Sequence, residues 1–88
     1  MRIEKLEDGY KLTDLYISAA ILCDPAMELV NVEPADKSGS KQTMFVVKGA
    51  PDRIKGIIDD FFNGKHLVDA NLFKSKLQTL KSRLYAKY

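Results

Sequence analysis

The sequence predicts an α+β protein, a two-layer sandwich in which three helices cover one face of a small antiparallel sheet in the order (β)αββαα. Two short segments rich in Val, Phe and Met flank the polar stretch PADKSGS, a pattern typical of a β-hairpin. Three other segments have helix-start residues and apolar residues at helical spacing. The 88 residues suit one small domain, residues 1–88. A chain of this size buries only about 60% of its unfolded surface, which is enough for one hydrophobic core.

The N-terminal part of the chain predicts a short strand and then a helix. The opening MRIEKLEDGY is mostly charged and indicates an edge strand through Ile3 and Leu6. The helix follows in KLTDLYISAAILC, with Thr13 as its predicted N-cap and Asp14 at the positive end of the helix dipole. We expect it to end near Asp24. It is apolar on nearly all sides, so it should be the most buried element.

The hairpin is predicted over residues 27–33 and 41–48. Strict alternation places Val30 and Val32 on one face of its first strand, so both faces of the hairpin are partly apolar. A two-stranded sheet is marginal alone. We therefore expect a third strand, either from the N-terminal segment or from a second copy of the chain.

The second strand of the hairpin indicates a surface for a second copy. Phe45 and Val47 lie on one face of this strand, and Met44 and Val46 lie on the other. If the helices cover the first face, the second would leave apolar side chains in water. Met44 and Val46 are therefore the predicted homodimer interface.

Two further helices complete the predicted fold. The second lies in APDRIKGIIDDFFNG, where Pro51 suits the first turn and Gly64 the end. The third begins after Asp69, its predicted N-cap. The predicted inward stripes are Ile54, Ile57, Ile58, Phe61 and Phe62 in the second helix, and Phe73, Leu77, Leu80 and Leu84 in the third.

The single cysteine and the short apolar runs favour a cytoplasmic protein without a membrane span. Cys23 has no second cysteine with which to form an intramolecular disulfide, which fits a reducing compartment. The longest nearly apolar stretch, LYISAAILC, is too short to cross a bilayer.

No group of residues in the sequence indicates an enzyme, a metal site or a cofactor. His66 is the only histidine, and its loop, GKHLVD, is unlike a phosphate-binding motif. Asp59 and Asp60 are adjacent in a helix and thus point about 100° apart, which does not suit an acid and base pair. Ser38 and Ser40 have no histidine near them in sequence. One Cys and one His on different elements lack the spacing of zinc ligands.

The third helix carries the strongest functional signal. Residues 1–68 carry nine Lys or Arg and eleven Asp or Glu, whereas residues 69–88 carry five and one. A helical wheel places the cations on both flanks of the apolar stripe, with small or uncharged residues between them. Such a helix can lie against phosphates while an amide or guanidinium reaches the bases. The residues of this predicted nucleic-acid interface are Lys74, Lys76, Gln78, Lys81, Arg83 and Lys87.

Packing and a protein partner are alternative explanations of the same pattern. Lysine stems beside an apolar stripe cover the edge of a core, and cations suit the C-terminal end of a helix dipole. Neither effect explains the absence of carboxylates after Asp69. A protein partner accounts for that absence about as well as nucleic acid does.

The motifs LTDLYISAA, FVV, DDFFNG, VDANLF and LKSRLY, taken in this order between Leu12 and Tyr85, resemble a family of small uncharacterised bacterial and phage proteins, classed as a domain of unknown function. The resemblance implies a small α/β domain associated with phages. It implies no catalytic residue.

These observations favour a non-enzymatic accessory or regulatory module that binds nucleic acid through its C-terminal helix. The alternative is a homodimeric protein-interaction module that uses the hairpin edge or the sheet face. Both remain open at the level of the sequence.

Overall fold

A computed structural model describes residues 2–34 and 43–87, without the side chains of residues 86 and 87. Its strands form one antiparallel sheet in the order β1-β2-β4-β3. With three helices, this confirms the predicted α+β class and element order, except that the N-terminal segment supplies two strands. The elements are β1 (Ile3–Lys5), β2 (Gly9–Leu12), α1 (Leu15–Leu22), β3 (Glu28–Pro34), β4 (Thr43–Lys48), α2 (Pro51–Phe62) and α3 (Ala70–Lys87).

The N-terminal segment supplies two of the four strands of the sheet. Strand β1 pairs with β2, where Ile3 lies opposite Leu12, and the Leu6 N–H donates to the Gly9 carbonyl in the turn between them. Strand β2 then pairs with β4, so that Gly9 lies opposite Lys48. A short charged segment is therefore stabilised by pairing and by the burial of Tyr10 and Leu12 more than by its own pattern.

A β-bulge in β3 explains why this strand lacks a regular alternation. Leu29 lies opposite Val47 and Asn31 opposite Val46, which leaves Val30 as the extra residue. The prediction that Val30 and Val32 share a face is therefore wrong. Val32 is buried in the core, whereas Val30 is about half exposed.

Helix α1 is the centre of the helical layer, because it contacts α2, α3 and β4. All residues from Ile17 to Leu22 are buried, as predicted. Its N-cap is Asp14 and not Thr13, because Asp14 Oδ1 accepts from the Ile17 N–H at 2.9 Å. Thr13 instead accepts the Arg2 N–H through Oγ1 and ties β1 to the end of β2.

Helix α2 has the predicted start and end. Pro51 is its first residue, and Gly64 takes φ of 70° just beyond it, a conformation that glycine adopts without strain. The Gly64 and Lys65 N–H groups donate back into the last turn, which is the Schellman pattern. Ile54 and Ile58 are buried, but Phe62 is 57% exposed because it lies at the edge of the stripe in the final turn.

Helix α3 begins as predicted, since Asp69 Oδ1 accepts from the Leu72 N–H at 3.0 Å. Leu80 is fully buried and lies in the same core as Phe45 and Ile54, while Phe73 and Leu77 pack against that core. Leu84 is half-buried. Among the described residues, no helix is both long and apolar enough to cross a membrane.

Candidate nucleic-acid interface

The predicted interface lies on α3, a helix of 18 residues that contacts α1 and β3 along one side. Lys74, Gln78, Lys81 and Arg83 are all exposed. Their backbone is fixed by the N-cap at Asp69 and by the burial of the opposite face. The four side chains therefore extend into solvent from a helix whose other side is packed against the fold.

Two of the predicted contact residues are placed differently. Lys76 is half-buried, and its positive charge acts on the thiol of Cys23 at the end of α1. Its position is that of a lysine stem that covers the core edge. Lys87 belongs to α3, but its side chain lies outside the described part of the chain.

The exposed cations of α3 have no carboxylate partners among the residues that the structure describes. Within residues 2–34 and 43–87, Lys74, Lys81 and Arg83 make no ion pair. Elsewhere the described ion pairs are Arg2–Glu4, Lys11–Glu33, Arg53–Asp24 and Lys55–Asp59. The positive charge of α3 is therefore available to a ligand, whereas each of those four cations is partly neutralised by a neighbour.

Small polar residues line the outer side of α3. Together with Arg83 they surround an open depression of about 360 Å³. The residues that line it are Ser75, Gln78, Thr79, Ser82 and Arg83. The Thr79 hydroxyl donates to the Ser75 carbonyl at 3.0 Å, so it is already occupied within the helix. None of the residues that line this depression is acidic, and Arg83 gives it a positive charge.

Tyr85 is an exposed aromatic residue that does not belong to the predicted interface. Its side chain is 73% exposed in the last turn of α3. It follows Lys74, Gln78 and Lys81 at intervals of eleven, seven and four residues, which places all four on one flank of the helix. This spacing is visible in the sequence, but the exposure of the ring is not.

The predicted dimer surface is largely covered within the chain. Met44 is only 2% exposed and Val46 is half-buried. Lys11 in β2 and Glu33 in β3 form an ion pair at 3.0 Å, so their side chains reach across β4, which lies between those strands. Lys11 lies opposite Val46 and Glu33 opposite Met44, so the ion pair lies on the face of the sheet that carries Met44 and Val46. The premise that Met44 faces water is therefore wrong.

Both edges of the sheet also have features that discourage strand addition. Strand β1 has three residues, two of them charged, and β3 contains the bulge and ends at Pro34. Short charged edges, bulges and proline all oppose pairing with another chain. Dimerisation stays a prediction, which light scattering at micromolar concentration tests.

A second depression, of about 440 Å³, lies where the end of α1 meets α2 and the loop before α3. It brings together Cys23 and His66, which the sequence placed on separate elements. Burial raises the pKa of the Cys23 thiol, the charge of Lys76 lowers it, and that of Asp69 raises it. The balance is upward, so the protonated thiol predominates at neutral pH, and a thiol is a weak nucleophile.

Two of the carboxylates that line this second depression, Asp24 and Asp69, have structural roles. Asp24 accepts from Arg53 Nε at 2.6 Å and from the Ala26 N–H at 2.9 Å, and Asp69 caps α3. In the described parts of the chain, no three His, Cys, Asp or Glu side chains are grouped so as to hold a metal ion. Ser38 and Ser40 lie outside the described residues.

Comparison of the chain with known protein families, with curated proteins and with solved structures finds no match.

Proposed function

We propose that this protein is a small non-enzymatic accessory or regulatory module that binds nucleic acid through α3. The exposed surface of this helix provides cations, an amide and small hydroxyl-bearing residues. Phosphates supply most of the affinity in such contacts, and the attraction is independent of sequence.

The observation that carries the proposal is that Lys74, Lys81 and Arg83 are exposed and have no ion-pair partner among the described residues. An ion pair with a carboxylate must be broken, or its field shared, before a phosphate can take its place. Unpaired cations require no such exchange. The helix has no acidic residue after its N-cap, so nothing along it repels a phosphate chain.

The packing explanation accounts for only part of the pattern. It fits Lys76, whose half-buried stem lies beside the end of α1. It does not fit Lys74 and Lys81, because they are exposed, nor Arg83, which lines the open depression on the outer side. Of the four α3 cations whose side chains are described, one thus covers the core edge and three face solvent.

We expect the double variant Lys81→Gln, Arg83→Gln to bind nucleic acid more weakly and with less salt dependence. Each phosphate contact contributes a slope of about −0.9 to the logarithm of the affinity against the logarithm of salt concentration on duplex DNA, so the loss of two contacts reduces the slope by about two. Fluorescence anisotropy of labelled duplex DNA, single-stranded DNA and RNA, titrated from about 50 mM salt upward, measures both quantities.

The matched control is Lys5→Gln, Lys48→Gln, which removes the same net charge from exposed positions on β1 and β4. If binding depends on α3, this control keeps most of the affinity and slope. If both double variants weaken binding equally, the affinity depends only on the net charge of the protein, and α3 is not the interface. The absence of saturable binding to all three nucleic acids at about 50 mM salt, where electrostatic association is strong, would refute the proposed function.

A further inference from the structure

One flank of α3 combines cations with an exposed aromatic ring. Lys74, Gln78, Lys81 and Tyr85, hereafter the Tyr85 stripe, follow one another at spacings of four, three and four residues. On a helix this spacing keeps them within an arc of about 60° and along a length of about 16 Å. All four side chains are exposed, and Tyr85 is the most distant from the N-cap.

The Tyr85 ring is placed outside the apolar packing of the fold. The inward stripe of α3 runs through Phe73, Leu77 and Leu80, and Tyr85 lies about 80° to 140° from these positions around the helix. With 73% of its surface exposed, the ring gives little stability to the core. Its faces are therefore open to a flat partner.

The side chains of the Tyr85 stripe are of the kinds that bind an extended single strand of nucleic acid. Ammonium groups attract phosphates, while a tyrosine ring offers a face on which a base can stack. Gln78, between the cations, can both donate to and accept from a base edge. In a duplex the base faces are covered by neighbouring bases, so the ring would find no partner there. Single-stranded DNA and RNA expose those faces.

We propose that the Tyr85 stripe binds single-stranded nucleic acid, with a base stacked on Tyr85 and the phosphates beside Lys74 and Lys81. This inference rests on the proposed function and narrows its ligand from nucleic acid in general to an unpaired strand. Because stacking is available to every base, the site has little sequence specificity.

The test compares Tyr85→Leu with Tyr85→Phe, using labelled oligothymidylate of about 12 nucleotides, a length within the range that one single-strand-binding module covers. Tyr85→Leu keeps an apolar side chain but removes the ring, and we expect its affinity to fall by about 5- to 150-fold, the range for loss of one stacked base. Tyr85→Phe keeps the ring and should stay within about twofold of the wild type. Thermal melting checks that both variants are folded.

Phe62→Leu is the matched control, since it removes a ring of similar exposure from the end of α2. It should leave oligothymidylate affinity unchanged. A second readout uses the protein's own fluorescence, because the chain contains four tyrosines and no tryptophan. Stacking should quench the Tyr85 emission when oligothymidylate binds, and the quenching should be much smaller in Tyr85→Phe although its binding is retained.

The outcomes separate the two proposals. If the protein binds nucleic acid but Tyr85→Leu binds oligothymidylate as well as the wild type does, the stacking inference is overturned and the proposed function stands. Clearly tighter binding to duplex than to single-stranded nucleic acid would also overturn the stacking inference and leave the proposed function standing. If nothing binds at low salt, both proposals fail together.

Discussion

Replacing Leu80 by alanine should lower the free energy of unfolding by about 2 to 5 kcal/mol, the range found when a large buried aliphatic side chain is truncated. Leu80 is fully buried, and it is the one residue of α3 buried to that degree among those described. It joins α3 to the core that contains Phe45 and Ile54. The cavity would lie between the helical layer and the sheet, where neighbouring elements are held by the rest of the core. Urea denaturation monitored by circular dichroism measures the loss.

Leu67→Ala is the control for this prediction, because Leu67 is 93% exposed and its truncation removes almost no buried surface. Its effect should lie within about 0.5 kcal/mol, as for most surface substitutions. If Leu80→Ala also falls in that range, α3 does not pack through the face described. The proposed nucleic-acid interface would then be misplaced as well, since the orientation of its side chains follows from the burial of Leu80.

The start of α3 and the end of α2 were predictable from sequence because their signals are local. The carboxylate of Asp69 caps the backbone three residues ahead, and Gly64 closes a turn made only with its own helix. Periodicity likewise identified Ile54 and Leu80 as core residues. Each inference needs only a few neighbouring residues, and tertiary packing did not override them.

The features that the sequence did not predict depend on residues far apart in the chain. Thr13 and Asp14 are both good N-caps, and the choice of Asp14 follows from the hydrogen bond that Thr13 Oγ1 accepts from the Arg2 N–H, just before β1. The bulge at Val30 is defined only by the pairing of β3 with β4. The secondary-structure propensity of a residue carries no information about which distant residue it will pair with.

The same distinction applies to the candidate site. The exposed positions of Lys74, Lys81 and Arg83 follow from a helical wheel once one face is known to be buried. The half-burial of Lys76 requires knowing that α1 ends beside it. The near-complete burial of Met44 could not be anticipated, because β4 has a strand on each side and the two neighbours are distant in the chain, as the 22 positions between Lys11 and Glu33 show.

Replacing Gly9 by alanine should destabilise the protein by about 3 kcal/mol, near the upper part of the usual range for overpacking. A Cβ at this position would overlap the Val47 carbonyl oxygen and would lie 3.0 Å from the Cα of Lys48. These are backbone atoms of β4, which is paired on both sides and cannot move without disturbing β3. Neither contact can be relieved by rotating a side chain, so β2 must move away from its partner. Urea denaturation gives the change in the free energy of unfolding.

The same chemical change at Gly56 should have the opposite sign. Gly56 lies inside α2, and a Cβ there would meet no atom within 4 Å. Alanine is a better helix former than glycine, so Gly56→Ala should stabilise the protein by about 0.5 to 1 kcal/mol. Both substitutions restrict the unfolded chain alike. The difference between their free energies of unfolding therefore combines the helix preference of alanine at Gly56 with the steric overlap between β2 and β4 at Gly9. If Gly9→Ala is as stable as the wild type, Gly9 does not lie opposite Lys48, and the N-terminal hairpin is attached to the sheet in another register.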